Sequence, residues 1–323
     1  MDTRTADAHH AAMPIVENDP WRMQYFEGVA CPAEVFIPTE DGDSYRLFAA
    51  HRWVYNKLLI CETQRLEHGP HGLAPTRFPV FSKPIYNLRG MGAGSCVLHD
   101  ADAYERAQMA GHMWMALLDG EHVSSDVAVV AGEPRWWRHV TGKSLGEGIF
   151  DYWTVLAEAR PAIESHCGEW LRQNLPHYTG MVNLETIGGL IIECHLRFSD
   201  QWPDLYGAGW LDALVALYSH GRWEYADNDR RDGYSVVLFG PHGPHYHHPP
   251  ERVIEDLLSQ AEISSVQTTF YEDKPPEQHA MPPGGFRLAI VNCLDLDAGF
   301  AARERLALHF WSTQKIRRSR RRR

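Results

Sequence analysis

The stretch IIECHLRF, residues 191–198, sets an acid, a histidine and an arginine at alternate positions of an apolar run. Strand residues of one parity share a face, so Glu193, His195 and Arg197 project together while Ile192, Cys194 and Leu196 turn to the core. The preceding run YTGMVNLETI and the turn Gly188–Gly189 make a hairpin, which lays Asn183 and Glu185 on the same face as Glu193. Two carboxylates on neighbouring strands repel unless a cation lies between them. A divalent ion fits, since Mg²⁺ takes oxygen ligands and is commonly held by one or two carboxylates plus substrate phosphates. The plain alternative is a solvated strand face with an ordinary Glu–Arg pair.

The segment FPVFSKP places Lys83 at the end of a buried strand, directly before NLRGMGAGS. A glycine loop lets backbone N–H groups approach phosphates, and a strand-end lysine adds point charge. A glycine cluster alone is a weak signal. Lysine, glycine loop and acidic hairpin in that order are a stronger one.

Over residues 35–240 the chain resembles the ATP-grasp superfamily. The resemblance rests on PTED after a strand, VYNKLL, FPVFSKPIYNLRGMGAGS, LLDGEHVSSD and MVNLETIGGLIIECHLRF, in the family's order and approximate spacing. It implies an α+β, ATP-grasp fold, two α/β subdomains with antiparallel sheets gripping ATP between them. It further implies Lys57 and Lys83 as the two nucleotide lysines, and Gly90, Met91, Gly92, Ala93, Gly94 and Ser95 as the loop over the phosphates. Met115, Ala116, Leu117 and Leu118 would be the adenine strand, with Glu121 and His122 beside the ribose. Glu185, Glu193 and His195 would be the metal ligands, and Arg197 would follow two positions on. Two departures stand out: the family's E-x-N-x-R reads E-C-H-L-R, and the ribose acid falls at His122. Imidazole suits Mn²⁺ better than Mg²⁺, so the cofactors expected are ATP and Mg²⁺, with Mn²⁺ as the alternative metal.

The activity implied is ligation: a carboxylate takes the γ-phosphoryl of ATP, and an amine or thiol attacks the acyl phosphate, releasing ADP and phosphate. Phosphoryl transfer is mostly positioning and charge neutralisation, which suits Lys83, Arg197 and Arg138 as the catalytic cations. A kinase acting on a small molecule, or a nucleotide-binding regulator without chemistry, are the other readings of the same residues. Asp200, Gln201 and Asp204 after the hairpin are candidate amine contacts, and Arg138 and His139 candidate carboxylate contacts. Trp136, Trp137 and Trp202 read as packing. His242, His245, His247 and His248 fit no zinc spacing.

These side chains need elements to hold them. The pattern predicts a flexible leader to about residue 20, a short strand at 33–38, a helix from Tyr45 to Leu66 and strands at FPVFSKP and CVLHD. It continues with a helix capped by Asp100 or Asp102 and stopped at Gly111, strands at MWMALL and HVSSDVAVVAG, and a strand or exposed loop at PRWWRHVTGK. YWTVLAEARPAIESHCGEWLRQNL reads as one helix kinked near Pro161. After the hairpin come helices at about 209–220 and 251–261, then a closing strand, turn and helix. The domain reading is a leader and remnant of a preceding domain at 1–50, an ATP-grasp domain at 51–245, a completing region at 246–314 and a basic tail at 315–323.

The whole chain of 323 residues carries a net charge of −11. Lys315 to Arg323 holds seven basic residues and no acid, so residues 1–314 carry −18. So acidic a body argues against nucleic-acid binding except through that tail, which reads as a frayed terminus. No run reaches the ~18 apolar residues of a membrane span. The N-terminus lacks a basic-then-apolar signal, and six scattered cysteines suggest free thiols. The expected address is the cytoplasm and the expected partners are small-molecule carboxylate and amine or thiol substrates, with homodimerisation left open.

Overall fold

The computed structural model describes residues 15–88, 92 and 94–320, the last ten of them as backbone only. The expectations for Gly90, Met91, Ala93 and residues 1–14 lie outside the described residues.

The N-terminal segment is built of β1 (Ile15–Val16), α1 (Pro20–Met23), β2 (Ile37–Pro38) and α2 (Asp41–Leu47). β1 and β2 pair in parallel, and Ile15, Phe26 and Ile37 are buried in the main core. Residues 15–20 are therefore ordered structure, not leader. The helix expected from Tyr45 to Leu66 is three pieces: α2, a 3₁₀ turn at Arg52–Tyr55 and α3 (Lys57–Thr63). Phe48 leaves helical geometry at φ −103°, ψ 56°, and Asn56 is extended and caps α3 by accepting from Leu58 N at 3.1 Å.

A four-stranded antiparallel sheet follows, from β3 (His68–Pro70), β4 (Val80–Pro84), β5 (Cys96–Leu98) and β6 (His112–Ala116), with α4 (Ala101–Ala107) between the last two. Its order is β3-β6-β4-β5. Gly92, Gly94 and Ser95 thus lie in the connection from β4 to the edge strand β5. Asp100 caps α4 through Ala103 N, and the helix ends at Ala107, before the expected stop at Gly111.

The large sheet takes β7 (His122–Val130), β8 (Glu133–Gly146) and β9 (Ile149–Val155), then α5 (Pro161–Asn174), β10 (Gly180–Ile187) and β11 (Leu190–His195). α6 (Trp210–His220), β12 (Gly233–Gly240), α7 (Glu251–Leu258), β13 (Ile263–Thr268), β14 (Phe286–Cys293) and α8 (Leu296–Arg320) complete it. Among the described residues the order is β11-β10-β7-β8-β9-β12-β14-β13, antiparallel throughout. Residues 246–314 thus supply its far edge.

Tyr152, Trp153 and Val155, expected in a helix, lie in β9. Pro161 begins α5 instead of kinking it, as a first-turn proline needs no N–H partner. The backbone of 315–320 continues α8 instead of fraying.

Period-two alternation places β7 between two cores: Ala128 packs with Met181, Trp136 and Trp210, while Val127 and Val129 pack with Val182, Leu184 and the α5 residues Trp170 and Leu171. The register shifts in β10–β11 between Glu185 and Thr186, a β-bulge. Ile191 therefore joins Cys194 and Leu196 in that second core, and Ile192 packs instead with Met113 and Met115 of the small sheet. All six cysteines are free. No helix among the described residues is long and apolar enough to cross a membrane.

Candidate active site

The register pairs Glu185 with Glu193 and Asn183 with His195. Like charges directly opposed on a sheet destabilise it, and four basic groups surround these two. Lys57 Nζ lies 3.5 Å from Glu193 Oε2, and Lys83 Nζ lies 4.0 Å from Oε1. His195 Nε2 is 3.6 Å from Glu193 and 3.8 Å from Glu185. His122 Nε2 donates to Glu185 at 3.2 Å. Burial opposes ionisation of Glu185, but His122, His195 and Arg197 outweigh it and hold the carboxyl down at about 2.

The lysines arrive from different elements. Lys57 opens α3, and Lys83 sits near the end of β4, where its ammonium donates to Ile192 O of β11 at 2.9 Å. Both are buried. Burial, the largest influence on Lys83, pulls its pKa below the ordinary lysine value against the pull of Glu193. Lys83 is thus a strut between the two sheets as well as a charge.

Behind the acids stands Asp41, buried at 4% exposure. Its carboxylate accepts from Arg197 Nε at 2.9 Å and Nη2 at 3.2 Å, and from His195 Nδ1 at 3.0 and 3.1 Å. Burial alone would raise the Asp41 carboxyl, and the two cations reverse that and hold it well below its usual range. Burial disfavours the His195 cation, yet Asp41 carries that ring above its ordinary value.

Asn183 donates to Ser124 at 2.8 Å and to the buried Asp126 at 2.7 Å. Asp126 also accepts from Tyr206 and from Ser199 N. Neither Asp41 nor Asp126 is marked by a local pattern, although Asp41 lies in the TED loop that carried part of the resemblance.

The donor set suits a divalent cation. With Nδ1 donating to Asp41, the second ring nitrogen of His195 is buried, faces Glu185 and Glu193, and has no hydrogen-bond partner among the described residues, as an oriented metal-binding histidine requires. Among the described residues no three acids, imidazoles or thiols stand together at finished ligand spacing, so substrate oxygens or water would complete such a shell.

The other expected residues divide. Met115 and Ala116 lie in β6, between β3 and β4, with Ala116 N donating to Glu67 O. Leu117 and Leu118 follow the strand, and Leu118 packs with Met113, Met115 and Ile192. Gly92 and Gly94 have positive φ, 59° and 76°, and Ser95 N closes on Gly92 O. The Glu121 side chain pairs with Arg160 at 3.7 Å, and His122 turns to Glu185.

Arg138 is not brought to the cluster. It is three strands across the sheet from His195, 1% exposed, paired with Asp227 at 2.8 Å and placed over Trp136 and Tyr206, which makes it a core ion pair. His139 is likewise buried, between Ser125 and Glu164. Gln201 and Asp204 are engaged with Gln267, Asn292 and Ser265, whereas Asp200 lines a cavity. In the histidine loop, His242 contacts Pro282 O, His247 contacts Glu272 and His248 contacts Phe270 O. Trp136 and Trp202 are core, as expected.

No protein-family model matches the chain, and no curated protein matches it. Solved structures do. L-amino acid ligase from Bacillus licheniformis superposes at a TM-score of 0.61 with 11% identity, over 90% of this chain and 82% of that one. Phosphoribosylamine–glycine ligase from Thermotoga maritima gives 0.60 with 14% identity, over 89% and 85%. Carboxyaminoimidazole ribonucleotide synthase from Aspergillus clavatus, solved with ATP, gives 0.55 with 14% identity, over 85% and 78%. At such identities the likeness is one of fold.

Proposed function

From the ATP-grasp fold, which this chain has, we propose that the protein is an ATP-dependent ligase. It activates a carboxylate as an acyl phosphate and joins it to an amine or thiol. The observation that carries this reading is the convergence of Lys57 and Lys83, from the small-sheet side, on Glu193 of the large sheet. Two buried cations meeting at Glu193, with Glu185 opposite it on the neighbouring strand, suit a polyphosphate with its counter-ion. Two of the structural neighbours named above are ligases, and the third, a synthase, was solved with ATP.

In this reading Lys57 and Lys83 neutralise the phosphates, and the β4–β5 glycine loop offers N–H groups to them. Leu117 and Leu118, which follow β6, would offer backbone groups to an adenine edge. Arg197, fixed by Asp41, stands beside the transferred group. Glu185, Glu193 and His195 would hold the metal, Mg²⁺ or Mn²⁺, which when bound supplies charge neutralisation on the phosphate oxygens. The substrate carboxylate attacks the γ-phosphorus and ADP leaves. The acceptor then attacks the acyl carbon, expelling phosphate and losing its proton to solvent.

The test is Glu193→Ala, which should abolish Mg²⁺-dependent ATP turnover with the circular dichroism spectrum unchanged. Undiminished turnover rejects the site. Products separate ligase from kinase: free phosphate with a joined product supports ligation, phosphate retained on a substrate hydroxyl a kinase.

A further inference from the structure

Arg197 and Asp41 also line a cavity of about 700 Å³, walled further by Arg22 and Glu40 of the N-terminal segment and by Arg287 of β14. Most of its buried charge is matched internally: Arg22 pairs with Asp19 at 3.4 Å and with Asp200, and Arg197 pairs with Asp41. Among the described residues four lining charges form no ion pair: the exposed Lys274 and Glu277, and the less exposed Arg287 and Glu40. Among the described residues no carboxylate forms an ion pair with Arg287, and its Nε is buried without a hydrogen-bond partner. Burial, then Arg22, pushes this guanidinium down to about 10. Likewise no cation pairs with Glu40, whose carboxyl is raised first by burial and then by Asp19, Asp200 and Asp43, against a hydrogen bond from Asn18. Trp21 Nε1, on the same wall, is a further buried donor with no hydrogen-bond partner among the described residues.

An unpaired cation with its Nε buried is unfavourable until an anion reaches it, and the half-buried Glu40 carboxylate is open to a cation. A single small molecule that satisfies both carries a carboxylate and an ammonium. We propose that this cavity binds the acceptor as a zwitterionic amino acid, with its carboxylate on Arg287 and its amine on Glu40. Glu40 is the chain neighbour of Asp41, which holds Arg197, and in this assignment the amine end turns towards that arginine. The acceptor role rests on the ligase reading; the binding does not.

The experiment is calorimetric titration of the full chain, saturated with a non-hydrolysable ATP analogue, with free α-amino acids, their amides and their N-acetyl forms. At least one free amino acid should bind, with amide and N-acetyl forms ten-fold weaker or worse. Arg287→Gln should bring the free acid down to the level of its amide, and Glu40→Gln to that of its N-acetyl form. Arg287→Lys, which keeps the charge, should retain part of the acid-over-amide preference. A panel with no binder, amides equal to free acids, simple carboxylates equal to amino acids, or an Arg287→Gln protein with its preference intact would each overturn the assignment. Because the readout is binding, loss of ATP turnover with this pattern preserved defeats only the ligase reading. Turnover without the pattern defeats only the cavity assignment.

Discussion

Asp41 and Arg197 are joined by two parallel contacts, 2.9 and 3.2 Å, and the same carboxylate fixes the ring of His195. One acid from the N-terminal segment thus orients both basic residues at the end of β11.

Asp41→Asn keeps the shape and removes the charge. It leaves Arg197 and His195 short of a buried counter-ion, at a cost of about 3–5 kcal/mol. Melting temperature should drop sharply. The His195 pKa, which Asp41 raises, should fall when followed by NMR. A parent-like melt with an unshifted histidine would refute the bracing role.

His195→Asn exchanges an imidazole for the amide oxygen that oxygen-seeking Mg²⁺ prefers. The ratio of turnover with Mg²⁺ to turnover with Mn²⁺ should rise, and Mn²⁺ affinity, read by paramagnetic resonance, should weaken. Unchanged Mn²⁺ binding would show that the ring only orients its neighbours.

Glu17 gives a pH prediction away from the acid hairpin. Burial, then Asp200, raises its carboxyl to about 8 in the folded protein. Unfolded, it titrates near its ordinary value of 4.5. Between these values the unfolded chain holds fewer protons, so the Glu17 contribution is complete below pH 4.5 and is lost as pH rises towards 8. Glu17→Gln removes that slope, and the variant should gain stability over the parent at pH 8 relative to pH 5. Parallel melting curves across that range would contradict it.

Gly188 has φ +58°, and a Cβ there would stand 2.4 Å from Asp119 O, while Gly188 N donates to Glu121 O. The segment between the two sheets lies against the turn of the acidic hairpin. Gly188→Ala should cost at least the roughly 1–3 kcal/mol of a strained backbone position and weaken nucleotide binding with it, measured by denaturant melts and ATP titration. Gly189, with no neighbour within 4 Å of its Cβ position, is the control and should lose less.

The hairpin, its Gly-Gly turn, the shared face of Asn183, Glu185, Glu193 and His195, and the placing of Lys83 and the glycine loop on β4–β5 were legible from residue order, because period-two alternation and glycine conformations act within a few residues. Strands β9, β12 and β13 were not: Tyr152 and Trp153 gain their partners from β8 and β12, and isolated short apolar runs suit helix or strand alike. The sequence around Arg138 suits a substrate contact, but its partner is Asp227, 89 residues away.

By itself the sequence determined which side chains share a strand face and which loop follows which lysine, since local backbone sterics decide these. Only the tertiary structure decided that Asp41 braces His195 across 154 residues, that Lys57 and Lys83 meet at one carboxylate, and that Arg287 and Glu40 line one cavity with no ion pair among the described residues. Those relations depend on where whole elements pack, and burying apolar surface sets that packing without reference to distance along the chain.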